Sequence, residues 1–189
     1  MDSTPSEPRV TAEQFRFAFR SHPAGVAVVT ADAGDGPVAM TVSSVASISI
    51  DPPTLMFSAS ALSSSTSSIR RAETVVVHLL AADQLPLAKL GARKGADRFT
   101  GDVKWARLPT GEPYYPGATW LRGRVTQRID THGSTILIIE AIEAKPDADH
   151  SSDHPTPLVY HDRRWHMLNE KSTVAEVRSP FAVVYGRDE

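Results

Sequence analysis

The sequence predicts a mainly β fold: a closed β architecture with a few short helices at its rim. Three observations point to it. Buried-strand runs rich in β-branched residues recur at 26–30 (VAVVT), 74–80 (TVVVHLL) and 135–142 (TILIIEAI). Clusters of Gly, Pro and Asp punctuate them, as at 32–37 (DAGDGP) and 111–113 (GEP). Helical patterns are few and short, and strands of this kind close on themselves with helices outside.

Residues 1–10 read as a polar, Pro-containing tail with no basic start and no apolar run, so no signal peptide is expected. Thr11 is placed as an N-cap with Glu13 in the first turn. Phe15, Phe17, Ala18 and Phe19 then make a short, mostly apolar helix, broken by His22-Pro23-Ala24-Gly25. Val26 to Thr30 is a buried strand, and Asp32 to Pro37 a hairpin turn. The return strand opens the stretch around which the chain is organised, 38–67: two strand-like runs (Met40 to Val45 and Thr54 to Ser58), the corner Asp51-Pro52-Pro53 and a serine cluster. Taken alone, Ser63 to Ser68 reads as a solvated loop and helix start. Its hydroxyls beside exposed backbone N–H groups also suit a polar or anionic ligand. Neither Lys nor Arg occurs between Arg20 and Arg70, so a phosphate held there needs a cation from later in the chain.

A helix over 65–71 leads into the buried strand 74–80, within which His78 is expected to be a satisfied core histidine. Ala82 to Gly91 fits a helix, and Arg93 to Phe99 is a basic connection. Ala118 to Val125 alternates like a half-buried strand, Asp130 to Ser134 is a turn, and Thr135 to Ile142 is a central strand. The stretch 145–157 is polar. Leu158-Val159-Tyr160 is a last short strand with Trp165, Met167 and Leu168 packed behind it. The expected organisation is a tail (1–10), one domain (11–168) and an extension (169–189), in which Phe181 to Tyr185 forms a strand or docking segment.

With 189 residues the chain is long enough for one substantial core, and its formal charge of −2 argues against a nucleic-acid footprint. No apolar run approaches the ~20 residues of a membrane span. The absence of cysteine removes disulfides, thiolate catalysis and Cys-bound metals, and agrees with a cytoplasmic location. A Ser–His–Asp hydrolase lacks its G-x-S-x-G turn here. His150, Asp153 and His154, with His161 and Asp162, have the residue types of a zinc site. Their His-x₃-His spacing serves only on a helix, which Pro155 and Pro157 oppose. Rossmann and Walker glycine patterns are absent.

The order of these pieces adds a resemblance. From about Phe15 to Leu168 the chain resembles the short-chain flavin reductase family, whose fold is an antiparallel Greek-key, FMN-binding split β-barrel. The likeness rests on Pro23 to Thr30, Met40-Thr41-Val42-Ser43-Ser44, and Ser47 to Pro53. It continues through Leu87-Ala88, Ala92 to Phe99, Gly111-Glu112-Pro113, and Pro157 to Tyr160 with Asp162-Arg163-Arg164. The resemblance implies non-covalent FMN (or FAD) at the interface of a homodimer. Thr41, Val42, Ser43 and Ser44 would run along ring and ribityl chain, and Ser60, Ser63, Ser65 and Thr66 towards the phosphate. Lys94 and Arg98 would supply the missing counter-charge, to that phosphate or to those of a nicotinamide nucleotide.

Two positions depart from the family's pattern. Ser134 stands where many relatives carry a histidine on the nicotinamide side, with His132 two residues earlier as the substitute, and Gly91 stands where an aromatic residue is usual. The activity implied is hydride transfer from NADH or NADPH to flavin, the reduced flavin then passing to a partner monooxygenase. No catalytic side chain is assigned, because the cofactors carry the chemistry. A flavin-retaining split-barrel oxidase or reductase, and a non-catalytic flavin or haem binder, are the alternatives.

Overall fold

The computed structural model describes residues 9–145 and 155–173. Thr11 caps helix α1 (Ala12–Arg20) through a reciprocal capping box with Gln14. There follow β1 (Ala24–Gly25), β2 (Ala27–Asp32), β3 (Pro37–Val42), β4 (Ala46–Ser49) and β5 (Thr54–Ser60). Helix α2 (Thr66–Arg71) leads to β6 (Thr74–Leu79), then a 3₁₀ turn (Ala82–Gln84) and α3 (Leu85–Ala92), started by Pro86 in its first turn. The chain continues with β7 (Ala106–Arg107), β8 (Pro113–Tyr114), β9 (Thr119–Thr131), β10 (Ser134–Ala144), β11 (Leu158–His161) and β12 (Arg164–Met167). None of the described helices is long and apolar enough to cross a membrane.

Seven antiparallel strands form the main sheet in the order β3-β2-β6-β9-β10-β5-β4. β2 is buried on both faces, which explains its continuous apolar run. Val29 faces a core with Phe57, Ile69, Val75, Val77, Leu137 and Ile139. Val28 faces a second core under α3 with Leu80, Ala88, Phe99, Tyr115 and Leu158. The two ends of the sheet meet at Ser44, just past β3. Its Oγ accepts from the Ser58 N–H (2.9 Å) and donates to the Ser58 carbonyl (3.2 Å), tying the end of β3 to β5. This is the closed β architecture with rim helices that the sequence leads one to expect.

Two polar groups are built into these cores. The His78 Nδ1–H donates to the Val28 carbonyl (2.9 Å) and Nε2 accepts from the Tyr115 N–H (3.0 Å). Both ring nitrogens are satisfied, so the histidine is structural as read. Burial pushes its pKa down to about 4. Glu112 accepts from Thr74 Oγ1 (2.6 Å), Thr110 Oγ1 and Arg122 Nε (2.7 Å). Burial alone would raise its carboxyl, but these donors outweigh burial and hold it at about 2.

Several expectations need correction. Met167 and Leu168 do not pack behind the last strand; they are 58% and 49% exposed. β12 is the edge of a separate three-stranded sheet, β1-β11-β12, and of that trio only Trp165 reaches inward, against Tyr160. The strand begun at Thr54 runs on to Ser60, and the helix placed over Ala82–Gly91 is a 3₁₀ turn followed by α3. The segment Phe181 to Tyr185 and the cluster His150 to His154 lie outside the described residues.

Candidate functional site

The site is assembled where the end of β3, the end of α3 and β11 converge. Thr41 Oγ1 donates to the Ala88 carbonyl of α3 (2.7 Å). That close approach explains Gly91: a Cβ there would stand 2.4 Å from Thr41 Oγ1 and 3.2 Å from the Thr41 nitrogen. An aromatic residue at this position would force α3 off the strand. Val42 turns its side chain into the core. Ser43 is exposed and lines a cleft of about 180 Å³ with Val26, Ala92, Tyr160 and Trp165.

From this cleft a line of hydroxyls runs along the outer face of β5. Ser44 is bonded to Ser58, and Ser60 follows two residues later on the same face. Ser60 Oγ accepts from the Leu62 N–H, and Ser63 Oγ from the Ser65 N–H (both 3.3 Å). Ser65 is buried and donates to the Ala39 carbonyl (2.7 Å), while Thr66 donates to the Ser60 carbonyl. Ser44, Ser65 and Thr66 thus complete their bonding within the chain. Among the described residues no buried side-chain polar atom lacks a partner. Short hydroxyl side chains reach nearby backbone groups first.

Beyond the serines lies a second pocket, of about 390 Å³, lined by Ser63, Thr66, Ser67, Arg70, Arg71 and Arg128. Arg70 pairs with Asp130 (2.9 Å) and Arg71 with Asp35. Arg128 donates to the Arg70 and Ala72 carbonyls (2.6 and 2.7 Å), capping the end of α2. Sequence reasoning missed Arg128, because only the fold brings it from β9 to the end of α2, 56 residues earlier in the chain.

The basic connection divides. Arg98 has a structural task that the sequence did not disclose: it donates to the carbonyls of Gly91, Ala96 and Arg93 and so closes the end of α3. Phe99 anchors the loop, stacked on Tyr115 at 5.7 Å, and the Tyr115 hydroxyl donates to the Arg98 carbonyl. Lys94 is exposed and has no ion pair among the described residues. It lies two residues after Ala92, which lines the Ser43 cleft. His132 is exposed in the β9–β10 turn. Ser134 opens β10 directly opposite Ser60, which sets this turn beside the hydroxyl line. The described residues hold no cluster of three or more metal-ligating side chains.

Comparison with known proteins agrees with this geometry. The family described as "Flavin reductase like domain" matches residues 19–169. An NADH:FMN oxidoreductase of Rhodococcus erythropolis is 38% identical over 160 residues, covering 83% of this chain and 82% of that protein. A flavin reductase domain protein from Arthrobacter sp. FB24 superposes with a TM-score of 0.76 at 31% identity, covering 84% of this chain and 96% of that one. BorF, the flavin reductase component of a bacterial two-component tryptophan halogenase, superposes with a TM-score of 0.71 at 29% identity, covering 84% and 98%. With the family match spanning most of its length, and with a split β-barrel shared with these structures, the chain belongs to the flavin reductase like domain family.

Proposed function

We propose that this protein is an NAD(P)H:flavin oxidoreductase that passes a hydride from a reduced nicotinamide dinucleotide to FMN or FAD. The observation that carries the reading is the run of surfaces along Ser43, Ser44, Ser58, Ser60 and Ser63. It joins an aromatic-sided cleft at one end to an arginine-lined pocket at the other. A flavin has the matching order: a flat ring, a polyhydroxyl chain and a phosphate. When bound, the flavin supplies the hydride acceptor and the nicotinamide the donor. The chain's own residues align the two. Tyr160, Trp165 and Val26 would give the ring a low-dielectric wall, and Ser43 offers a hydroxyl that is unbonded among the described residues. Arg70, Arg71 and Arg128 line one pocket with Ser63, Thr66 and Ser67, where the flavin phosphate would lie. Lys94, at the other end, would meet the phosphates of the nicotinamide nucleotide, and Arg98 would hold the loop that carries it. His132 and Ser134 stand beside Ser60, so in this reading they flank the flavin's chain and phosphate and not the ring that the nicotinamide would meet.

In this proposal a second copy completes the site. The cleft of about 180 Å³ lies below the ~300–1,000 Å³ usual for small-molecule pockets. The hydroxyl line shares the outer face of the sheet with Met56, Ile136 and Ile138, and Ile48 and Ile129 are 50% and 47% exposed. Helix α1 buries nothing and presents Phe15, Phe17 and Phe19 at 56%, 76% and 58% exposure. An apolar surface of this extent marks a protein interface. The reduced flavin would pass to a partner oxygenase, and the reaction would take place in the cytoplasm.

Steady-state oxidation of NADH and NADPH with added FMN, FAD or riboflavin tests the activity; no oxidation with any flavin overturns it. Arg70→Ala is expected to weaken FMN about ten- to hundredfold more than riboflavin, the size of one charge-assisted phosphate contact. Lys94→Ala is expected to raise the nicotinamide KM and leave the FMN-to-riboflavin ratio alone. If Lys94→Ala lowers that ratio instead, the loop holds the flavin phosphate. Ile138→Glu should give a monomer that no longer binds flavin, and a monomer with full flavin affinity would refute the shared site.

A further inference from the structure

A large groove lies outside the site just described, along the side of α3 turned away from the sheet. It measures about 730 Å³ and is walled by Leu87 and Leu90 on one side and Val103, Tyr115 and Ala118 on the other. Gln84 borders one end, held there by donating to the Gly117 carbonyl (2.7 Å). Leu87, Leu90 and Val103 are half-buried on its walls over the buried Tyr115 and Ala118, and nothing in the flavin reading occupies it. We propose that this groove is the docking site of the chain's own segment Phe181-Ala182-Val183-Val184-Tyr185.

Asn169, Glu170 and Lys171 share a cleft with Pro155, Thr156 and Pro157. Pro157 bridges to Ala81, and the Ala82 N–H donates to the Thr156 carbonyl (2.8 Å). The next two residues, Asp83 and Gln84, are the mouth of the groove. The eight steps from Thr173 to Phe181 span up to about 26 Å, more than enough to reach that mouth.

Length and charge agree. From Asp83 to Arg93 the groove follows roughly 15 Å of helix, and five extended residues cover about 16 Å. Arg178 precedes the apolar segment and would face Asp83 at the entrance, while Asp188 and Glu189 follow it and would face Lys89, Arg93 and Lys104, which line the groove with Asp102. None of these rim charges forms an ion pair among the described residues. The inference does not depend on the flavin reading.

The native chain has no cysteine, so an introduced pair reports contact without background. In the full chain, Leu90→Cys with Val183→Cys is expected to close an intramolecular disulfide at least about tenfold faster than the control Thr100→Cys with Val183→Cys, read on a non-reducing gel. Val103→Cys repeats the test from the facing wall should the Leu90 variant not fold. In parallel, Phe181→Ser with Tyr185→Ser is expected to raise the fluorescence of 1-anilinonaphthalene-8-sulfonate severalfold by uncovering the groove. Equal trapping rates in test and control overturn the proposal. So does a disulfide that links two copies, which would assign the segment to the partner. Dye binding unchanged by the tail substitutions also overturns it, leaving the groove to a diffusible apolar ligand.

Discussion

His78 makes the stability of this fold sensitive to mild acid. Its neutral ring is held as donor to Val28 and acceptor from Tyr115, and a second proton on Nε2 would point at the Tyr115 N–H. The native pKa is depressed from 6.5 to about 4, so the unfolded chain takes the proton first. A depressed histidine contributes stability that is present above 6.5 and is lost as pH falls towards 4. Across the 1.5 pH units from 6.5 to 5 the loss runs at about 1.4 kcal/mol per unit, hence about 2 kcal/mol between pH 7.5 and pH 5. For a chain of this length that lowers Tm by roughly 4–8 °C. Urea unfolding at fixed protein concentration measures it against His78→Asn. The asparagine keeps a donor for Val28, leaves the Tyr115 N–H unpaired at about 1–3 kcal/mol, and does not titrate. The native and variant curves should converge as pH falls from 7.5 to 5. Parallel curves would show that the buried ring does not control the acid limb, and the reasoning from its two hydrogen bonds would be wrong.

Gly91→Ala should cost about 1–3 kcal/mol, because the new methyl meets Thr41. In a Thr41→Ala background the same change should cost clearly less; additive costs from urea unfolding would mean that another contact limits this position. Glu112→Gln breaks a buried pair with Arg122 and should destabilise by about 3–5 kcal/mol at pH 7. The native carboxylate is depressed from 4.5 to about 2, so its contribution is full above 4.5 and the gap to the variant should narrow as pH falls towards 2. A gap independent of pH in denaturant titrations would contradict the assignment.

The long strands were legible because their apolar runs are continuous or alternate over six or more residues, as in β6 and β10. β4 was hidden: its Ala-Ser-Ile-Ser carries little apolar weight and is largely exposed, so its pairing with β5 alone reveals it. β1, β7 and β8 have two residues each and no pattern to read. At the site, residue types were readable but partners were not. That Ser43 is exposed on the same cleft as Tyr160 and Trp165 depends on pairings over a hundred residues apart. Arg98 looked like a spare cation because the carbonyls at the end of α3 declare nothing in a sequence. His78 was read correctly, since a lone histidine amid valines has no other way to be tolerated.

The internal bonding of the hydroxyl line has a kinetic consequence. Ser44, Ser65 and Thr66 keep their protein partners whether or not a ligand lies over them. A departing flavin therefore leaves behind none of the stranded buried donors that cost ~1–3 kcal/mol each and hold a prosthetic group in place. In the proposed binding mode the barrier to exchange would come chiefly from the ring's apolar contact and the phosphate's charge. Such a surface favours short residence and rapid turnover of visitors, and the barrel needs no occupant to keep its shape.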